Sequence, residues 1–382
     1  MKINIVVLFI NFGPYHIARV FALKNIFKGD VFPVQITNNE MIREWRLNEK
    51  PFDILTLLKR AERDVFKSDL RKILYKSLHN ISPDILAIAG YSHPAMRFAA
   101  IWAKKHNKLA ILMSESQYID KSRNLLIEKI KGWWIKRYFD SAFVGGERSA
   151  DYLIKLGFPA DKIWRGYDVV DNEYFSKKAE EIRKNGNEWR LKLELPDKYF
   201  LYVGRFSPEK NLLKLLEAYR IYKNKMQKDA WGLVLVGSGP QENELKSKAD
   251  KLGLRQIIFP GFKQINELPL YYALSSCFIL PSNSEPWGLV VNEAMASGLP
   301  VLVSYKCGCV PELVYPGING YTFNPENVEE IAFYMSHISS GGVDINKMGE
   351  ASRKIIQNFS AETWARALAD CIEVTMKRRN RG

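Results

Sequence analysis

Cysteine is scarce, with only Cys277, Cys307, Cys309 and Cys371 among 382 residues. None forms a C-x-x-C pair or has a histidine at zinc spacing, so neither a disulfide framework nor a zinc module is supported. Only Cys307-Gly308-Cys309 is close, and free thiols in a reducing cytoplasm account for all four. No apolar run reaches the roughly 18 residues that a spanning helix needs. The apolar start, Met1 to Phe12, lacks a basic n-region and a small-residue cleavage site, so it reads as a first strand and not a leader. Internal repeats, low-complexity tracts and RRM, KH or helix-turn-helix signatures are missing, so no nucleic acid is expected as a partner.

The remaining composition is that of a globular chain. Hydrophobic residues make up 47% and charged residues 26%, which excludes disorder and collagen and suffices for a full core. The length suggests two domains. Positive charge is in excess, at +14 overall. Residues 1–175 hold 28 Lys and Arg against 19 Asp and Glu, so most of the excess lies there. A basic surface favours an anionic partner, whether a membrane, a phosphorylated substrate or nucleic acid.

Short apolar runs recur at 3–10, 31–36, 85–90, 108–113, 141–145 and 163–170, and again at 199–204, 231–237, 257–261, 277–282 and 299–304. Most are near-continuous, which suits parallel strands buried on both faces. Helix-patterned segments separate them, for example 211–223, 241–252 and 266–275, and this βα order implies doubly wound α/β sheets. Residues 176–197 are charged and carry no strand pattern, which sets the domain boundary. The division is 1–175, a linker at 176–198, a second domain at 199–358, and a final helix at 359–382 with Ser360 as its cap.

Ligands of open α/β sheets sit beyond the carboxyl ends of strands. After 199–204 come Arg205 and Lys210, flanking a turn before a helix. They could bind a diphosphate or be ordinary loop cations. After 231–237 comes Gly237-Ser238-Gly239-Pro240, either a close backbone approach to a ligand or a plain tight turn. After 277–282, Glu285 stands in a loop and Gly288 at a helix start, where the N–H groups of Gly288, Leu289 and Val290 would face an anion. Glu293 follows two turns on, within reach of vicinal hydroxyls or else on a solvated face.

Residues 199–325 resemble the donor-binding half of glycosyltransferase family 4, retaining enzymes of the GT-B fold. The resemblance rests on V-G-R-x4-K (Val203 to Lys210), V-G-x-G-P (Val236 to Pro240), Pro260-Gly261, E-x7-E (Glu285 to Glu293) with A-M-A-x-G-x-P-V, and P-E-L-V followed by N-G-Y, in that order. It implies two Rossmann-like domains facing across a cleft, acceptor on the first and nucleotide-sugar on the second. It implies that Arg205 and Lys210 bind the donor diphosphate and stabilise the leaving group, that Glu285 holds donor-sugar hydroxyls, and that Glu293 holds the ribose. The amides of Gly288, Leu289 and Val290 would lie near sugar and phosphate, and backbone around Gly261 and Phe262 would recognise the base. The donor would be a UDP- or GDP-sugar and the acceptor a glycan, a glycolipid or a small molecule. No cofactor is expected. No D-x-D is present and no metal is expected, cations taking its place.

The amino-terminal half resembles the family less. Gly13 matches the loop that family members place near the donor phosphates, although the paired glycines are missing and Pro14 removes a donor. His16 could bind acceptor, act as a base or simply bond near its loop. His93 is a second acceptor candidate. Where relatives carry a histidine, this chain has Ser114-Glu115-Ser116, which makes Glu115 the candidate for orienting hydroxyls, with Asp120 and Arg123 in support. Asp171 would cap the turn into the linker.

Residues 121–137 hold six cations and one acid, with Leu126, Ile127, Ile130, Trp133 and Trp134 on one helical face. A core helix with a solvated basic face is preferred, and a monotopic contact with anionic lipid is the alternative. The expectation is a retaining glycosyltransferase of polysaccharide or lipid-linked glycan synthesis, cytoplasmic or peripheral on the inner membrane face. The alternatives are a GT-B enzyme without acceptor, such as a nucleotide-sugar 2-epimerase, and a catalytically dead basic binding protein.

Overall fold

The computed structural model describes residues 2–38, 51–58, 66–120, 123–254 and 257–379; of the segments discussed above, Met1, Lys121, Ser122 and residues 380–382 lie outside these. The chain divides into two units, Met1–Val170 with Ser360–Gly382, and Asp171–Phe359.

Among the described residues, the first unit is built on seven strands: β1 (Ile3–Phe9), β2 (Gly29–Thr37), β3 (Leu55–Leu58), β4 (Ile85–Ala89), β5 (Leu109–Ser114), β6 (Ser141–Val144) and β7 (Ile163–Arg165). They pair in parallel in the order β3-β2-β1-β4-β5-β6-β7. The strand order reverses between β1 and β4, so the ends of these two strands flank the switch point. Ile5 to Leu8 and Ile85 to Ile88 are wholly buried, as the continuous apolar runs require of a sheet covered on both faces. The final helix, Ala361–Arg379, belongs to this unit. Ser360 and Thr363 exchange bonds at its start, from the Ser360 amide to Thr363 Oγ1 (2.8 Å) and from the Thr363 amide to Ser360 Oγ (3.2 Å). Trp364 buries beside Phe143, with ring centroids 5.8 Å apart.

The second unit carries β8 (Tyr199–Val203), β9 (Gly232–Val236), β10 (Ile257–Gly261), β11 (Cys277–Leu280), β12 (Val301–Ser304) and β13 (Gly320–Phe323). Its parallel order is β10-β9-β8-β11-β12-β13, with the switch between β8 and β11. All eleven apolar runs contain a strand; the sequence reading omitted β3 and β13, four-residue strands at sheet edges.

The segment read as a linker differs. Residues Asn172–Lys184 and Gly186–Lys192 are helices within the second unit. Asp171 caps the first through Oδ1, which accepts from the Tyr174 amide at 2.9 Å. Arg183 donates to the carbonyls of Ala273 (3.0 Å) and Ser297 (2.7 Å), which fixes this charged helix to the unit. A charged run with few apolar residues can still dock through one long side chain that satisfies helix-end carbonyls.

The basic stretch forms a helix at Leu125–Tyr138, capped by Asn124. The apolar residues named from the sequence divide: Trp134 packs against the core as the core-helix reading preferred, and the others do not. Gly132 and Ile135 face inward and are buried, whereas Leu125, Leu126, Ile127, Ile130 and Trp133 are 59–77% exposed. Gly132 decides this orientation: a Cβ there would sit 2.1 Å from the Leu156 carbonyl oxygen, so only glycine permits so close a backbone approach.

Candidate active site

In the second unit, four loops leave the carboxyl ends of β8, β9, β10 and β11. The β8 and β9 loops interlock: the Phe206 amide donates to the Ser238 carbonyl (2.8 Å) and the Gln241 amide to the Phe206 carbonyl (3.0 Å). Gly237 makes this contact feasible, since a Cβ would lie 1.9 Å from the Gly204 carbonyl oxygen. The Gly237 amide donates in turn to the Gly261 carbonyl at 3.0 Å, which draws in the β10 loop with Phe262.

The β8 and β11 loops meet through charge. Lys210 Nζ pairs with Glu285 Oε2, both side chains largely buried at 18% and 13% exposure. The Ser282 hydroxyl lies 3.4 Å from the same oxygen. The Asn283 amide donates to the Glu209 carbonyl (2.8 Å), and Ser207 Oγ to Glu209 Oε1 (2.5 Å). Burial pushes the Glu209 carboxyl upward, but the Ser207 hydroxyl and the cations Lys210 and Arg205 outweigh it and hold it below its ordinary range. Arg205 itself is exposed at the rim.

Gly288, at φ +105°, turns the chain into the helix Leu289–Ala296. The first bond of that helix runs from the Val291 amide to the Gly288 carbonyl (2.8 Å), so the N–H groups of Gly288, Leu289 and Val290 belong to the open first turn. Cys307-Gly308-Cys309 backs this loop: the Gly308 amide donates to the Glu285 carbonyl (2.9 Å) and the Cys309 amide to that of Trp287 (3.2 Å). All four cysteines are buried. Glu293 is wholly buried, and its Oε2 accepts from the Tyr272 hydroxyl at 2.7 Å. Glu209, Ser207, Ser282 and Tyr272 were not singled out from the sequence. The first two lie inside the motif that supplied Arg205 and Lys210, and Tyr272 reads as a core aromatic until the fold brings it to Glu293.

In the first unit, Gly13, His93 and Glu115 follow β1, β4 and β5, the central strands. His16 Nδ1 accepts from the Gly13 amide (3.0 Å), and its ring stacks on Phe9 at 4.1 Å between centroids. His16 thereby closes a capping box at the start of the helix Pro14–Ile26, the bond near its loop that the sequence offered beside the acceptor and base roles. His93 is likewise a cap, its Nδ1 accepting from the Ala95 amide at 3.2 Å. Asp120 Oδ2 accepts from the Gln117 amide (2.8 Å), while Arg123 donates to the carbonyls of Gln117 and Tyr118 and to the Tyr152 hydroxyl. These two residues order the loop that carries Glu115, which is exposed. Asp168 lies buried below: burial pushes its carboxyl well up, the Glu115 charge adds to this, and Arg19 opposes it.

The family model for glycosyl transferases group 1 matches residues 184–379, just over half of the chain. The chain belongs to this glycosyltransferase family. Sulfoquinovosyl transferase SQD2 of Arabidopsis thaliana is 27% identical over 300 residues, covering 75% of this chain and 56% of that protein. The alpha-monoglucosyldiacylglycerol synthase of Streptococcus pneumoniae is 36% identical over 216 residues, covering 53% and 48%. The chain spans about half the length of the curated relatives that it matches. Among solved structures, the Anabaena protein Alr3699/HepE in complex with UDP-glucose superposes with a TM-score of 0.75 at 17% identity, covering 98% of this chain and all of that one. The fold is GT-B, two Rossmann-like α/β domains. The family and these relatives are transferases, which speaks against the epimerase alternative.

Proposed function

We propose that this glycosyltransferase moves a sugar from a UDP- or GDP-sugar to a glycan or glycolipid acceptor with retention of anomeric configuration, in polysaccharide or lipid-linked glycan synthesis. The observation that carries the proposal is the Lys210–Glu285 pair at the β8/β11 switch point, beside Arg205 and the first turn of Leu289–Ala296. The names of the glycolipid-forming relatives support the acceptor class. On this reading Arg205 and Lys210 engage the diphosphate, and Glu285 exchanges part of its bond to Lys210 for donor-sugar hydroxyls. The Gly288, Leu289 and Val290 amides face sugar and phosphate, Gly261 and Phe262 border the base, and Glu293 serves the ribose. Reaching the ribose requires some exposure of Glu293 beyond that in this structure.

The anomeric carbon–oxygen bond to the β-phosphate breaks, and the bond to the acceptor oxygen forms on the same face. The acceptor proton passes to the departing phosphate, so no protein nucleophile enters. Charge grows on the β-phosphate as the bond breaks. Preorganised cations and helix N–H groups meet that charge, with no metal required. Glu115 orients acceptor hydroxyls.

Calorimetry with UDP, GDP and ADP and their sugars tests the donor assignment. One nucleotide should bind selectively, and Lys210→Ala should weaken it. Glu285→Ala should keep the fold and lower transfer by roughly a hundredfold or more. Transfer at the wild-type rate in that variant would remove the central assignment.

A further inference from the structure

The helix Leu125–Tyr138 packs Trp134, Ile135 and Tyr138 on the core and carries a second apolar stripe turned outward. On a helical wheel, Leu126, Ile130, Trp133 and Arg137 share the outward stripe, opposite the buried Gly132 and Ile135. Leu125 and Ile127, on either flank at the first turn, are exposed as well. Lys129 and Lys136, both exposed, flank it on one side. The helix's only acid, Glu128, faces inward: Lys131 Nζ lies 2.5 Å from its Oε1 and the Tyr152 hydroxyl 2.5 Å from its Oε2. The outward face is therefore apolar and cationic, with no negative charge from its own helix. Large exposed apolar residues gathered on one face mark an interaction surface.

We propose that this face docks on the surface of an anionic lipid bilayer, with Leu126, Ile130 and Trp133 entering the interface and Lys129, Lys136 and Arg137 meeting the headgroup charge. The charge pattern selects the occupant. A second copy of the chain would set these same cations against one another, whereas an anionic headgroup layer complements them. Among the described residues no helix is long and apolar enough to cross a membrane, so the contact is monotopic. The docking helix is also braced to the Glu115 loop. Arg123, at its foot, holds the Gln117 and Tyr118 carbonyls, and both Arg123 and Glu128 meet the Tyr152 hydroxyl. If the transfer reading holds, a lipid-borne acceptor would meet that loop at the plane of the membrane.

The test is co-sedimentation of the full chain with vesicles of equimolar phosphatidylglycerol and phosphatidylcholine, and with phosphatidylcholine alone. Preferential partition onto the anionic vesicles, falling steeply with salt, is the expected result. Replacing Lys129, Lys136 and Arg137 by Gln should lower the partition coefficient by roughly a hundredfold. The pair Ile130→Ala and Trp133→Ala should lower it by roughly tenfold or more. Thermal unfolding of the same variants checks that the chain is folded, and calorimetry with UDP and GDP reads nucleotide binding separately. Equal partition onto both vesicle types, no partition, or variants that partition like the wild type would overturn the proposal. So would a concentration-dependent dimer abolished by the same substitutions. Partition as expected in a chain that binds no nucleotide would support the docking and count against the transfer reading alone.

Discussion

Replacing Lys210 by Met keeps the apolar stem and removes the charge. Two consequences follow, and they separate. For stability, the substitution leaves a largely enclosed carboxylate with the Ser282 hydroxyl at 3.4 Å in place of a cation. Stranding a fully buried charge costs about 3–5 kcal/mol, and the residual exposure of this pair reduces that to about 1–3 kcal/mol. At about 2–4 °C per kcal/mol for a unit of this size, Tm should fall by several degrees. Glu285→Gln should cost a similar amount. The double variant buries no unpaired charge, so it should recover part of the loss, a coupling of about 1–2 kcal/mol. For binding, the losses should not recover. A charge-assisted hydrogen bond contributes about 1.5–3 kcal/mol, so the Kd for UDP should rise roughly ten- to hundredfold in Lys210→Met and stay raised in the double variant. Differential scanning calorimetry and titration calorimetry read the two quantities on the same protein. Strict additivity in Tm would deny the ion pair. A UDP Kd that returns to the wild-type value in the double variant would mean that Lys210 only positions Glu285 and touches no phosphate.

Further expectations follow from packing and burial. Gly237→Ala sets a methyl 1.9 Å from the Gly204 carbonyl oxygen, so the β8 and β9 loops must part; UDP affinity should fall more than tenfold, and an unchanged Kd would show these loops play no part in the site. Gly132→Ala presses on the Leu156 carbonyl and should cost about 1–3 kcal/mol in urea unfolding, against the slight gain that alanine brings to an unconstrained helix. Asp168 has a raised folded-state value, through burial first and the Glu115 charge second. The folded chain then holds a proton that the unfolded chain gives up as pH climbs above about 4, so stability is lost as pH rises. Asp168→Asn removes this slope, and its Tm relative to wild type should climb with pH; parallel Tm–pH curves would refute the assignment.

The sequence alone determined the strands that are buried on both faces, because continuous apolar runs have no other economical use in a chain of this composition. It also placed Arg205, Lys210, Glu285 and Gly288 at strand ends of the second unit, since the motifs are local in the chain. It missed Leu55–Leu58 and Gly320–Phe323, where four residues at a sheet edge are too few to show a pattern. It read 176–198 as a linker because charge hides a helix that docks through Arg183. Tertiary structure decided what isolated side chains do. For His16 and His93 the sequence left chemistry and loop bonding open, and the backbone brings Nδ1 of each to a helix-start amide. The partnership of Tyr272 with Glu293 joins residues of separate helices. The helix at 125–138 shows the division most plainly. Periodicity reveals that an apolar face exists, but not which way it turns. That was settled by the backbone of Leu156 approaching Gly132 more closely than any side chain would allow, which left Trp133 and the leucines outside and Trp134 against the core.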